Sequence, residues 1–135
     1  MNINNIINKT LDFTVKRIAE LTGTLLIILS ILLLISLISY SPEDPNFIFP
    51  DNTEIRNILG FRGSFVSDLF FQSIGLVSVL VSITIFFTGI NLFRIKKFLL
   101  IVENLFYTVL YSILGSLFFS TFYPDAFWLI NNGNG

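Results

Sequence analysis

The sequence predicts an all-α fold, a polytopic membrane helical bundle with three transmembrane helices and a preceding amphipathic helix. Three windows, 21–42, 69–93 and 104–124, contain no charged residue and together make up half of the 135 residues. Each window is long enough for the roughly 20 apolar residues that a helix needs to cross a hydrocarbon core. A mean hydropathy of +0.79 with 53% hydrophobic residues argues strongly against a soluble domain.

The N-terminal 20 residues have the pattern of an amphipathic helix. Apolar residues recur in steps of three and four and share one face, at Ile3, Ile6, Ile7, Leu11, Val15 and Ile18. Lys9, Lys16 and Arg17 would lie near anionic headgroups if this helix lay in the membrane interface. A soluble helix that leads into the first span, or a disordered tail, would also fit the pattern.

The first span covers 21–40 and is dominated by Leu and Ile. Its apolar run is longer than the hydrophobic region of a signal peptide and no small-residue cleavage pattern follows it, so we expect an uncleaved anchor. Pro42 and Pro45 require the helix to end near Tyr40. Beyond the following loop, Ser64 is a candidate N-cap for the second membrane helix.

The distribution of basic residues predicts the orientation of the chain. Six lie on one side of the predicted membrane, at Lys9, Lys16, Arg17, Arg94, Lys96 and Lys97, and two on the other, at Arg56 and Arg62. Basic residues concentrate on the cytoplasmic side, so the N-terminus is expected in the cytoplasm. Tyr40, Tyr123 and Trp128 then fit an aromatic belt at the outer surface.

These observations divide the chain into seven predicted segments. The cytoplasmic N-terminal helix covers 1–20, the transmembrane helices 21–40, 67–93 and 104–123, the outer (periplasmic) loops 41–66 and 124–135, and the cytoplasmic basic turn 94–103. Lys16, Arg17, Arg94, Lys96 and Lys97 are the residues assigned to determine topology. The expected location is a membrane, which the chain crosses several times with its N-terminus in the cytoplasm.

The composition leaves little room for chemistry in this chain. It has no Cys and no His, which excludes Cys/His zinc sites and Ser–His–Asp triads. No phosphate-binding loop motif occurs, and no long basic run indicates a nucleic-acid surface. Proton and ion pathways usually place ionisable residues inside the spans, and the three windows have none, so a transporter or channel is disfavoured. We therefore expect no enzymatic activity, no cofactor and no metal site.

Small residues form weak packing signals in the second and third spans. Those in the second span are Gly75, Ser78, Ser82 and Gly89, and those in the third are Ser112, Gly115, Ser116 and Ser120. Small residues let helix backbones approach closely in lipid. Contacts within the chain are the default explanation, and contact with a helix of another protein is the alternative.

The outer loop carries a more specific pattern. Ser39-Tyr40-Ser41-Pro42-Glu43-Asp44-Pro45-Asn46 closes the first span, and Asn57-Ile58-Leu59-Gly60-Phe61-Arg62-Gly63-Ser64 precedes Asp68 and Gly75. This pattern resembles the N-terminal membrane domain of the FtsK/SpoIIIE family of bacterial DNA translocases. The matching residues are Ser39, Tyr40, Pro42, Asp44, Pro45, Asn57, Gly60, Gly63, Asp68 and Gly75. Asn46 stands where that family usually has Ser, and Ser64 where it usually has Ala.

The resemblance implies an anchoring and interaction role in cell division, chromosome partition and septation. It also implies a location in the bacterial inner (cytoplasmic) membrane, at the division septum. The family's membrane domain has four helices, followed by a linker and a RecA-like motor, so this sequence is expected to be a fragment or a truncated protein. ATP, magnesium and DNA would contact only that motor. Expected partners are the lipid bilayer, other cell-division membrane proteins and further copies of the full-length protein. The alternative is a stand-alone membrane scaffold or an accessory subunit of a membrane complex.

Overall fold

The computed structural model describes residues 3–45 and 54–123, which form four helices and, within those two ranges, no strand. The helices are α1 (Ile3–Ile38), α2 (Gly60–Ile74), α3 (Val77–Ile95) and α4 (Leu99–Phe122). Three stretches, Asn5–Ile38, Val77–Ile95 and Leu99–Phe122, are long and apolar enough to cross a membrane. The predicted all-α class with three spans is confirmed. Residues 124–135, including Trp128, and Asn46 lie outside the described residues.

Helix α1 joins the predicted amphipathic segment and the first span without a break. Its 36 residues extend over about 54 Å at roughly 1.5 Å per residue, whereas a hydrocarbon core is about 30 Å thick. Several turns must therefore project beyond the core. The charged residues of α1 all lie in its first 20 positions, so the N-terminal part is the part that projects.

The residues predicted as a single second span, 67–93, are divided between α2 and α3. Gly75 has φ 60° and ψ −141°, a conformation that glycine adopts without steric cost, and its N–H donates to the Phe71 carbonyl at 3.0 Å. Helix α2 also begins earlier than expected, at Gly60. With 15 residues it is shorter than the helices that can span, and it contacts α1, α3 and α4.

Helices α1 and α3 form the main packing interface and run antiparallel, so that Gly23 of α1 faces Gly89 of α3. A Cβ added at Gly89 would lie 2.8 Å from the Gly23 carbonyl oxygen, and one added at Gly23 would lie 2.8 Å from the Phe93 nitrogen. The two backbones are therefore in direct contact. Ser30, Ser78 and Ser82 are buried along the same two helices, which confirms that the small residues of the second span pack within the chain.

Helix α4 packs on α3 through polar pairs at the level of the membrane. The hydroxyls of Thr84 and Tyr111 are 2.8 Å apart, and the Asn104 amide donates to the Thr88 hydroxyl at 2.9 Å. No contact joins α1 and α4 in the described part of the chain, so α3 is the central helix of an open arrangement. Most of the surface of α4 remains exposed and apolar, as expected of a helix covered by lipid or by other helices.

Candidate functional site: the α1–α2 junction

Most residues of the family pattern meet where the C-terminal end of α1, the loop after it and the first half of α2 come together. We call this region the α1–α2 junction. Its members from the pattern are Ser39, Tyr40, Asp44, Pro45, Asn57, Gly60, Gly63 and Asp68, joined by Ser36, Ser64 and Ser67. These residues are separated by up to 32 positions in the sequence, so the junction is a tertiary feature.

Asp44 holds the two sides of the loop together. Its side chain is buried at 6% exposure, and its carboxylate accepts the backbone N–H of Arg56 at 2.8 Å and that of Asn57 at 2.9 Å. A carboxylate accepting two N–H groups is a charge-assisted arrangement, stronger than hydrogen bonds between neutral groups. Asp44 therefore fixes the segment that enters α2 against the segment that leaves α1.

Asn57 connects the loop to both helices. Its side-chain amide donates to the Ser36 carbonyl at 2.9 Å and, over a longer 3.5 Å, to the Ser67 hydroxyl. Its side-chain oxygen accepts the Leu59 N–H at 3.0 Å, as in an Asx turn. With 4% exposure, this amide replaces the water that the buried Ser36 carbonyl at the end of α1 would otherwise need.

Gly63 allows α2 to approach the end of α1. The Ser36 hydroxyl donates to the Gly63 carbonyl at 2.6 Å, and the Ser67 hydroxyl donates to the same oxygen at 2.9 Å. A Cβ at position 63 would overlap the Asn57 side-chain oxygen and the Leu59 Cβ. Glycine is therefore required at this position by close packing rather than by an unusual φ.

Tyr40 and Asp68 form a further link between the end of α1 and the middle of α2. The Tyr40 hydroxyl donates to one Asp68 carboxylate oxygen at 3.2 Å, and the Gln72 amide donates to the other at 2.7 Å. The Tyr40 ring packs on Phe71 with centroids 4.8 Å apart. Tyr40 lies two residues beyond α1, and burial, reinforced by the Asp68 charge, raises its pKa to about 12. The phenol therefore remains protonated and able to donate at physiological pH.

The remaining pattern residues have backbone roles or lie apart. Gly60 has φ 65°, which glycine adopts readily, and its N–H donates to the Asn57 carbonyl at 2.8 Å. Gly75 forms the break between α2 and α3 and makes no hydrogen bond to the junction. Pro42 is half-buried in the loop.

The prediction that Ser64 caps the second membrane helix is wrong. Because Gly60 begins α2, Ser64 lies one turn inside it, and no side chain caps the helix at Leu59. The Ser64 hydroxyl instead donates to the Pro45 carbonyl at 3.1 Å. This bond ties the loop to the interior of α2.

The residues assigned to topology lie at the opposite end of the α1–α3 pair. Glu20 forms ion pairs with Lys96 and, at 2.5 Å, with Arg17, while Lys16 pairs with Asp12 at 2.6 Å. Lys96 adopts a left-handed conformation with φ 60°, where the chain turns from α3 toward α4. Arg94 and Lys97 are exposed near this turn. Lys16, Arg17 and Lys96 thus share one end of the bundle.

The carboxylates of the junction take part in hydrogen bonds that hold the loop and the helices together. They accept hydrogen bonds from backbone N–H groups, a phenol and an amide, and none is paired with a nucleophile. No group of three or more His, Cys, Asp or Glu side chains in the described ranges could hold a metal ion. The arrangement can fix the position of α2 against the end of α1.

Sequence reasoning missed three contributors to this architecture: Ser36, Ser67 and Gly23. Ser36 was detectable as an isolated hydroxyl in a run of Leu and Ile, because polar groups in a membrane helix usually have a hydrogen-bonding partner. Ser67 lies four residues after Gly63, one helical turn away, so that the two share a face of α2. Gly23 was recognisable only as a small residue in an apolar helix.

The fold and the junction define a helical membrane domain in which hydrogen bonds tie the short helix α2 and the loop segments 39–45 and 54–59 to the end of α1. The chain belongs to the family described as the 4TM region of DNA translocase FtsK/SpoIIIE, which matches residues 15–135. The resemblance seen in the sequence is thereby confirmed. This family region is not the motor domain of the translocase.

Two relatives support the same assignment. The DNA translocase FtsK of Rhizobium meliloti (strain 1021) is 28% identical over 123 residues, covering 91% of this chain and 14% of the relative. The DNA translocase FtsK of Bradyrhizobium diazoefficiens is 28% identical over 120 residues, covering 89% of this chain and again 14% of the relative. The chain thus spans about one seventh of the length of these curated relatives. No solved structure matches it.

Proposed function

We propose that this chain anchors a DNA translocase in the bacterial inner membrane and positions it at the division septum, where the translocase acts in chromosome segregation. The observation that carries the proposal is the family match over residues 15–135, together with relatives that are named DNA translocases and are far longer than this chain. In this view the chain supplies the membrane region. The motor, with its ATP, magnesium and DNA, belongs to other parts of the translocase.

The structure provides two features that suit an anchor with a positioning role. The α1–α3 pair with its backbone contact at Gly23 and Gly89 gives a rigid membrane unit. The α1–α2 junction gives a hydrogen-bonded surface at one end of that unit, suited to contact with other cell-division proteins. Anchoring follows from the first feature and recognition from the second.

Helix α4 is the proposed contact for neighbouring membrane helices, including those of further copies of the protein. A groove of about 510 Å³ lies between α2, α3 and α4, and Thr108, Ser112 and Ser116 line it at intervals of four residues. Small residues at this spacing permit close helix approach. A homo-oligomer of the full-length protein would use this face, which leaves the α1–α2 junction accessible.

A chimera tests the positioning role in the translocase context. We expect a Rhizobium meliloti translocase that carries this chain in place of its corresponding region to concentrate at the septum and to support chromosome segregation. The same translocase without any membrane region, expressed at an equal level, is the control and should remain diffuse. A chimera spread evenly over the whole membrane would contradict septal positioning and favour a general scaffold.

The proposed orientation has the N-terminus and the basic turn in the cytoplasm. Because the chain contains no Cys, single cysteines can be introduced at exposed positions on either side. We expect a membrane-impermeant maleimide to label Glu54→Cys in intact spheroplasts and Lys97→Cys only after the membrane is permeabilised. Labelling of Lys97→Cys alone in intact spheroplasts would reverse the proposed topology.

A further inference from the structure

A second groove lies on the exposed side of α1, beside the N-terminal half of α2. It has a volume of about 340 Å³, near the lower end of the roughly 300–1,000 Å³ typical of small-molecule sites. Its walls are almost entirely apolar, and its principal lining residues are Leu29, Leu32, Leu33, Leu59, Arg62 and Val66. Arg62 is its only charged lining residue.

The level of this groove relative to the membrane follows from its contacts. The hydrogen bond from Ser36 to the Gly63 carbonyl places the first turn of α2, and Arg62 with it, beside the last turn of α1. Leu29 lies seven residues before Ser36, about 10 Å deeper along the helix axis at roughly 1.5 Å per residue. The groove therefore extends from the region of the headgroups into the hydrocarbon.

Near the groove, the basic Arg62 is exposed, whereas the neighbouring carboxylates already have partners. Arg62 is exposed, and no acidic side chain in the described part of the chain lies within ion-pair distance of it. The nearby carboxylates of the junction are already engaged: Glu43 pairs with Arg56 at 2.8 Å, Asp44 accepts two backbone N–H groups, and Asp68 accepts Tyr40 and Gln72. The Arg62 guanidinium is thus available to an external anion.

An apolar groove with a guanidinium at its headgroup end fits a phospholipid better than it fits another helix. A guanidinium binds phosphate oxygens in a bidentate manner, and an interfacial Arg lays its apolar stem along the surface while its head reaches the polar region. The separation between Arg62 and Leu29 corresponds to that between a lipid phosphate and the upper part of its acyl chain. A helix about 10 Å wide is broader than an acyl chain, and it would have to bring its own carboxylate into the headgroup region to pair with Arg62.

We propose that this groove binds an anionic phospholipid of the leaflet on the Arg62 side of the membrane. One acyl chain would lie between α1 and α2, and Arg62 would hold the phosphate. The absence of a nearby unengaged carboxylate among the described residues favours lipids with net negative charge over zwitterionic ones. Because α2 forms one wall, the bound lipid would stabilise the angle between α1 and α2. The proposal does not depend on a role in cell division.

Native mass spectrometry of the full chain tests this proposal, using phosphatidylglycerol and phosphatidylcholine with identical acyl chains as probes. A basic residue near the membrane surface contributes about 1 kcal/mol toward an anionic lipid, so we expect phosphatidylglycerol to bind about fivefold more tightly. Arg62→Gln should bring the ratio of the two affinities close to one. Arg56→Gln is the matched control and should preserve the ratio, because Arg56 already pairs with Glu43.

A second variant distinguishes the groove from the charge. Val66→Phe should fill the space between α1 and α2 and weaken the binding of both lipids by a similar factor, without changing their ratio. Two results would overturn the proposal. The first is an Arg62→Gln chain that keeps its preference for phosphatidylglycerol. The second is a Leu32→Cys chain that cross-links to a second copy to the same extent with and without added phosphatidylglycerol.

Discussion

Gly89→Val is expected to separate α1 from α3 and to lower the free energy of unfolding by about 3 kcal/mol, at the upper end of the usual range for overpacking. Even a Cβ at this position would lie 2.8 Å from the Gly23 carbonyl oxygen, 2.9 Å from the Ile27 Cγ1 and 3.0 Å from the Ile27 nitrogen. Two of these three atoms belong to the backbone, which no rotamer change can move. The added side chain can be accommodated only if the two helices shift apart.

The measurement is an SDS titration of the purified chain in mixed micelles, read by cross-linking between cysteines at Glu20 and Lys96, whose side chains form an ion pair in the folded chain. Gly115→Val in α4 is the matched control. The three atoms nearest to a Cβ at Gly115 all belong to the Val77 side chain, the closest at 2.8 Å, so a loss of about 1 kcal/mol is expected. Equal losses for the two variants would show that the Gly23–Gly89 contact does not determine the packing.

The number of spans could be predicted from the sequence because it depends on local composition. An uncharged window of more than 20 residues gains enough from leaving water that no tertiary contact is needed to specify it. The division of the second window into α2 and α3 was not predictable in this way. Gly75 lies at the edge of an apolar run, and glycine is common in membrane helices, so its positive φ could not be inferred from its surroundings.

The junction could be located from the sequence but not explained by it. The spacing from Tyr40 to Asp68 gave the resemblance to a family, and most of those residues do meet in the structure. Which atoms pair depends on the path of the loop, and hydrogen bonds such as that from Asn57 to the Ser36 carbonyl leave no periodic trace in the sequence. The early start of α2 at Gly60 had the same cause, because a turn held by Asp44 and Asn57 begins that helix instead of a cap at Ser64.

For the basic residues, the sequence predicted the side of the membrane but not the residue with which they pair. Their uneven distribution predicted that the N-terminal segment and the turn at 94–97 share one side of the membrane, and the structure brings Arg17 and Lys96 together on Glu20. The acidic partner was not predicted. Glu20 lies at the edge of the first uncharged window, where a single carboxylate has no pattern to distinguish it from other charges that face water.

Asp44→Ala is expected to lower the free energy of unfolding by about 3 kcal/mol and to release α2 from the end of α1. The substitution leaves the N–H groups of Arg56 and Asn57 without the carboxylate that accepts them at 2.8 and 2.9 Å. Hydrogen bonds to charged groups each contribute roughly 1.5–3 kcal/mol, and a donor left unpaired in a buried position adds a desolvation penalty. Asp44→Asn should give a smaller loss, because the amide oxygen can still accept one of the two bonds.

Hydrogen exchange of the α2 backbone measures this effect where it occurs, and Glu43→Ala provides a control that removes the same charge one residue earlier. Glu43 pairs with Arg56, but the two side chains are 71% and 67% exposed, so the loss of this ion pair should cost at most about 1 kcal/mol. We expect Asp44→Ala to accelerate exchange at Ser67 and Phe71 while exchange in α3 remains unchanged. If Glu43→Ala accelerates exchange at these sites to the same extent, the effect arises from net charge and not from the buried hydrogen bonds of Asp44.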